Sequence, residues 1–444
     1  MSTAIERPRW TCALGGALAA AAALPRTVPI IHAGPGCAAN FAWTQNGASG
    51  LQVGGPCAAL AFPGTNLQEN EVVFGGAERL DEEIEQTLKI MDGDLYFVLT
   101  GCVPEVIGDD VDSVVRKYAH RGVAITSAST AGFKGNSYFG YEEVLKTLFA
   151  KVLKTKPGRR EKTVNVWGLP PMMDVFWKGN LAGVKDLLGL LGYRANVFFG
   201  PGASLEEIEN AAGAELNIVL SDVYGLEAAR LFKKIHGVDF ISLPPPFGAA
   251  ASDRFLKLAG RRLGLPARKI SEIIKREGRR HYEFLEPLID VYNDMEGQRY
   301  AIVIGDVNYG CAVADFLTDD LGWLADLVFV TDDLSDDERA SLDKARSARA
   351  RPRPEIIYES RAGAIAEKID GRWRPSSTKY HNSRRPAFVA GSSLDRALAV
   401  SLGAPHLSLS FPVSNRAVLN RGYTGYDGGL RLMEDVISSA ILMR

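Results

Sequence analysis

Short apolar runs alternate with amphipathic stretches along almost the whole chain, and that alternation predicts strands interleaved with helices. In the first third, VPIIHA reads as a strand and DEEIEQTLKIM as a helix with Ile84, Leu88 and Met91 on one face. DLYFVLTGC is then a strand, VDSVVRKYAHRG a helix and VAITSAS a strand. The second third repeats this order: TVNVWGL, the helical GNLAGVKDLLGLLGY, RANVFFG, NIVLSD and VDFISL. Ser204 and Glu207 form a capping-box pattern ahead of a helix. A helical stretch from about Ser252 to Tyr292 leads into a last third with strands in RYAIVIGD, LADLVFVTDD, PEIIYES and AFVAGSS.

Strand and helix in strict rotation predict an α/β fold of three Rossmann-like domains with mostly parallel sheets. The charged linker Lys154–Lys162 sets the first boundary, giving an N-terminal domain over 1–158, a middle domain over 159–297 and a C-terminal domain over 298–444. Ser335 to Pro354, charged and Arg-rich, reads as a surface excursion. No GxGxxG follows a strand and no GxxxxGK[ST] occurs, so dinucleotide and P-loop sites are unsupported. Ligands in such sheets sit beyond the carboxyl ends of the strands.

Composition adds little to this picture. Hydrophobic residues make up 46% and charged residues 23%, as in globular proteins, and the net charge of −2 gives no footprint for nucleic acid. The run Cys12–Leu24 follows Arg7 and Arg9 and imitates a secretory signal, but it continues into the strand VPII and is too short to span a bilayer. It is expected to be a buried Ala-rich helix of a cytoplasmic protein, with no membrane partner.

Candidate chemistry lies in the five cysteines, which have no disulfide-framework spacing. Cys37 and Cys102 each follow a strand and a glycine, and Cys12 opens the Ala-rich helix. Helix N-termini stabilise thiolate, and glycines let the backbone approach a bulky group. Thiolates suit iron–sulfur clusters, while buried structural thiols are the alternative. Three are too few for a four-thiolate cluster, so another residue type or a second chain must contribute. Cys311 reads as a core thiol and Cys57 as a loop thiol. His32, five residues before Cys37, is either a hydrogen-bond donor to the site or a satisfied core histidine.

The string TGCVPEVIGDD resembles the TTC-x-x-E-x-IGDD motif of nitrogenase component 1 subunits. HAGPGC is similar to their HGSQGC loop, with Cys12 placed 25 residues earlier like the family's first cluster cysteine, and NEVVFGGAERL to their VFGG segment. LSFPVSNRAVLNRGYTGYDGGLRLMEDV is similar to the carboxyl-terminal FP, basic residue, GY-x-G pattern. The resemblance implies an α2β2 heterotetramer of homologous subunits and an 8Fe–7S P-cluster shared with the α-type partner. On this chain it implies Cys12, Cys37 and Cys102 as cluster and metal ligands, with no catalytic residue. It implies that Phe74 meets an ATP-dependent iron-protein homodimer, which delivers one electron per cycle; an ordinary core aromatic is the alternative.

The middle-domain strand NIVLSDVYGLEAARLF lacks the cofactor cysteine of α-type subunits, and LPPPFG resembles the β-type LPMPMG, so the chain is β-like. It departs from molybdenum β subunits in the short stretch before Cys12, in a longer Gly/Ala-rich loop between Cys37 and Phe74, and in having Gly132 where the family can place a serine ligand. Ser137 is nearby but in a different register. These departures point to a reductase of methylthio-alkanes by C–S cleavage, with a dinitrogen-reducing alternative nitrogenase or a cofactor-assembly scaffold as alternatives.

Overall fold

The computed structural model describes residues 7–52, 62–154, 158, 161–294, 297–347, 354–373 and 387–441. Cys57 lies outside them, as does part of the 154–162 linker.

Among the described residues twelve strands form three sheets, and every strand pairing is parallel. The first sheet holds β1 (Thr27–His32), β2 (Leu95–Thr100) and β3 (Ile125–Ala128) in that order. The second holds β4 (Thr163–Trp167), β5 (Arg194–Asn196), β6 (Leu216–Val219) and β7 (Phe240–Ser242) in the order 5-4-6-7. The third holds β8 (Tyr300–Gly305), β9 (Leu324–Val330), β10 (Glu355–Tyr358), β11 (Ala387–Gly391) and β12 (His406–Ser408) in the order 10-9-8-11-12. Parallel neighbours need crossover connections, and helices supply them, which buries both faces of each sheet. The largely apolar runs of β1, β2 and β4, buried at every position, follow from that burial.

The α/β fold with parallel sheets therefore stands as expected from the sequence. Three details differ. β12 is only three residues long and carries no periodic signal. The stretch from Ser252 to Tyr292 is two helices, Gly248–Arg262 and Ala267–Asp294, parted where Gly264 takes φ +73 ahead of Pro266. The charged segment read as an excursion carries the helix Asp336–Ser347, anchored by buried Leu342.

The run imitating a secretory signal is the helix Ala13–Ala23, buried on every side. It crosses the helix Ser137–Thr147 closely enough that Gly16 and Gly140 touch the opposing backbone. Glycine at both crossing points permits that approach. A single apolar core continues from this helix through the second sheet to the inner face of the third. Smaller clusters cover the outer faces of the first and third sheets. Among the described residues no helix is long and apolar enough to cross a membrane.

Candidate functional site

The first sheet and the helix Ala13–Ala23 bring three thiols to one place. Cys12 caps that helix. Its segment is fixed by backbone bonds from Ser137 N to Thr11 O (2.8 Å) and from Ala13 N to Gly135 O (3.0 Å). Just upstream, Arg9 is buried in a two-pronged ion pair with Asp395, both bonds 2.7 Å, tying this segment to the end of β11. Cys37 lies in the first turn of the helix Pro35–Ala48, after β1. Cys102 opens the helix Cys102–Ile107, directly after β2. Because β1 and β2 are adjacent and parallel, their carboxyl ends set the two cysteine loops side by side.

Gly132 is where the sulfurs are read most directly. Its amide donates to Cys102 Sγ at 3.2 Å. A Cβ at Gly132 would lie 3.2 Å from Cys12 Sγ and 3.3 Å from Cys102 Sγ. Cys37 is electrostatically close to both: burial pushes its thiol up, and Cys12 and Cys102 add to the shift. Helix termini favour thiolate, but at Cys37 desolvation and the neighbouring sulfurs act in the opposite direction.

Among the described residues no three His, Cys, Asp or Glu side chains are set to hold a single ion. Three soft sulfur donors around one pocket of backbone suit a multinuclear iron–sulfur group better than a mononuclear metal. Cys12 and Cys37 are partly buried and Cys102 is exposed, so the site is open to ligands from outside the chain. The donor set and the space left by the missing Gly132 side chain fit such a group.

Glu105 organises the loop over the sulfurs, a role sequence reading did not assign although it stands in the quoted motif. It accepts from Ser129 Oγ (2.7 Å), Ala131 N (3.2 Å) and Lys134 Nζ (2.6 Å), and also from Thr100 Oγ1. Burial opposes its ionisation, but Lys134, Thr100 and Ser129 outweigh burial and hold the carboxyl below its ordinary value. Gly132 is thereby pinned to the Cys102 helix.

His32 is a satisfied core histidine, with Nδ1 3.1 Å from Thr65 Oγ1 and Nε2 3.0 Å from Asp109 Oδ2. Burial pulls its imidazole below the ordinary value, against Asp109. Asp109 also accepts from Gly76 N at 2.8 Å, so one carboxylate joins the loops of HAGPGC, VFGG and IGDD. Gly76 has no room for a side chain: its Cβ would sit 2.7 Å from Asp109 Oδ2.

Phe74 ends the helix Glu69–Phe74, which packs beside the Cys102–Ile107 helix. It is 85% exposed, which removes the core-aromatic reading. Val73, Val106 and Phe133 are exposed as well. Isolated exposed hydrophobics are common, but these four lie on the elements that carry Cys102 and Gly132 or on the helix packed beside them. Cys311 is a buried thiol in the helix Val307–Asp319, apart from the site.

The chain is similar to known proteins over nearly its whole length. The sequence pattern of the family described as Nitrogenase component 1 type Oxidoreductase matches residues 12–441. The chain is 24% identical to the nitrogenase molybdenum-iron protein beta chain of Bradyrhizobium diazoefficiens, covering 97% of this chain and 83% of that one. It is 24% identical to the nitrogenase vanadium-iron protein beta chain of Trichormus variabilis (98% and 94% covered) and 22% to the nitrogenase iron-iron protein beta chain of Rhodobacter capsulatus (97% and 93%). A solved structure, nitrogenase Cp1 at pH 6.5, superposes with a TM-score of 0.78 at 17% identity, over 99% of this chain and 94% of that one.

Proposed function

The chain belongs to the nitrogenase component 1 type oxidoreductase family, and from that membership we propose that it is the β-type subunit of an ATP-dependent reductase complex. In this reading Cys12, Cys37 and Cys102 hold half of an 8Fe–7S P-cluster, the other half being held by a homologous α-type subunit in an α2β2 assembly in the cytoplasm. The observation that carries the reading is the convergence of Cys12 and Cys102 on Gly132, with Cys37 beside them. The same reading divides the chain at about residues 158 and 297.

When bound, such a cluster supplies a reversible electron store between the iron protein and the partner's catalytic cofactor. The chain's own contribution is positioning. Its three sulfurs act as ligands, and the Gly132 N–H donated to Cys102 stabilises negative charge there. Glu105 keeps that N–H in place, and the exposed edge around Phe74 receives the iron-protein dimer. No acid, base or nucleophile toward substrate is assigned to this subunit.

For substrate we propose methylthio-alkanes, cleaved reductively at the C–S bond, as the departures at Gly132 and in the loop after Cys37 distinguish the chain from molybdenum β subunits. Dinitrogen reduction and cofactor assembly are the competing readings. The complex, purified without oxygen with its α-type partner, is to be assayed with iron protein and ATP against dimethyl sulfide and dinitrogen. Turnover of dimethyl sulfide supports the proposal, turnover of dinitrogen alone selects the second reading, and none with either selects a scaffold. A Cys102→Ala complex with full iron content and undiminished electron delivery would overturn the ligand assignment.

A further inference from the structure

Away from the cysteines, a cleft of about 860 Å³ opens between the helices Trp177–Leu190, Ala267–Asp294 and Gly425–Ile441. That volume is within the range of small-molecule sites, roughly 300–1,000 Å³. Its charges are unevenly matched. Glu277 is taken by Arg276 and Arg280, and Asp427 by Arg280 at 2.7 Å. Asp186 faces Arg431, which offsets part of its burial and its repulsion from Asp427.

Lys178 and Lys185 have no carboxylate partner; Lys178 Nζ lies over the Trp177 ring, 5.4 Å from its centroid. Among the described residues neither makes an ion pair, and both are half-buried. Burial alone pulls the Lys178 ammonium below its ordinary value; for Lys185 burial is joined by repulsion from Arg194. No carboxylate acts on either. A half-desolvated ammonium with no carboxylate beside it is costly, and an anion entering the cleft would relieve two at once. The lysines stand seven residues apart on one helix, two turns, so their Cα atoms are about 10 Å from each other. Val197 and Phe199 provide an apolar wall in the same cleft.

We propose that this cleft binds a small organic molecule with two anionic groups, phosphate or carboxylate, its ends met by Lys178 and Lys185 and its spacer lying against Val197 and Phe199. The site is separate from the cysteine cluster and does not depend on the cluster assignment. Calorimetric titration of the intact complex at low salt, with fructose 1,6-bisphosphate and with suberate, tests it and separates the two anion classes. Binding of either probe is expected, weakened about tenfold or more in Lys178→Gln and in Lys185→Gln, which is 1.4 kcal/mol or more. It should be retained in Lys185→Arg and weakened by salt, with thermal midpoints unchanged. Three results overturn it: neither probe binds at millimolar concentration, the Lys178→Gln/Lys185→Gln double variant binds as wild type, or both lysines resist acetylation in the wild-type complex because the partner covers the cleft.

Discussion

The amide nitrogen of Gly132 lies 3.2 Å from Cys102 Sγ, and the hydrogen it carries in place of a side chain faces Cys12 Sγ as well. A serine here would bring a hydroxyl within reach of whatever the two sulfurs hold. The backbone of Gly132 is outside the left-handed region, so the substitution needs only a few tenths of an ångström from the two cysteines. In a Gly132→Ser complex the midpoint potential should become pH-dependent, by about 59 mV per pH unit for one proton released per electron. The wild type should show almost none. Potentiometric titration between pH 6.5 and 8.5 reads both; equal slopes in the two proteins would count against an oxygen ligand at this position.

Gly140 and Gly16 set where Cys12 sits. A Cβ on Gly140 would lie 1.9 Å from Ala13 O, and one on Gly16 1.9 Å from Ser137 O. Gly140→Ala must therefore separate two buried helices, costing about 1–3 kcal/mol, and it shifts the helix that Cys12 caps. Iron content should fall together with the denaturation midpoint. Gly278→Ala, mid-helix with nothing within 4 Å of its Cβ, is the control and should stabilise by about 0.5–1 kcal/mol. Unchanged stability and iron in Gly140→Ala would refute this dependence.

The sheets were legible because a parallel strand buried on both faces is written as a continuous apolar run, as in Leu95–Thr100. The cysteines were legible because each stands at an element junction, Cys37 and Cys102 directly after a glycine, and the family motifs then joined them. What stayed hidden depends on tertiary partners. Nothing about Arg9 in sequence foretells a buried pairing with Asp395, 386 residues away. The roles of Glu105 and Asp109 appear only once Ser129, Lys134 and Gly76 are folded around them. The strand His406–Ser408 is too short for any period to register. The placement of Lys178 and Lys185 away from any carboxylate is likewise invisible until three helices enclose the cleft.

Phe74 contributes little to the fold because most of its surface is already in water. Phe74→Ala should leave stability within about 0.5 kcal/mol of wild type. If the iron protein docks here, a central aromatic is worth at least about 1.4 kcal/mol, so the KM for iron protein should rise about tenfold or more. Steady-state turnover against iron-protein concentration, with a melting curve alongside, separates the two effects. A normal KM in Phe74→Ala would move the docking surface elsewhere.

Asp306 and Asp332 stand at the carboxyl ends of neighbouring strands β8 and β9, both fully buried. Asp306 accepts from Asn308 N (2.9 Å) and Tyr309 N (2.8 Å), and Asp332 from Val307 N (2.5 Å). Burial raises both carboxyls above the ordinary aspartate value of 3.8, and the charge of Asp332 raises Asp306 further. Above about pH 4 the unfolded chain has released these protons while the native chain still holds them, so stability falls as pH rises, until the native carboxyls have titrated as well. Asp332→Asn keeps an oxygen for the Val307 amide and removes one titration. Its midpoint in urea should therefore decline less than that of the wild type between pH 5 and pH 8. Parallel declines would mean that Asp332 is ionised in the native protein throughout that range.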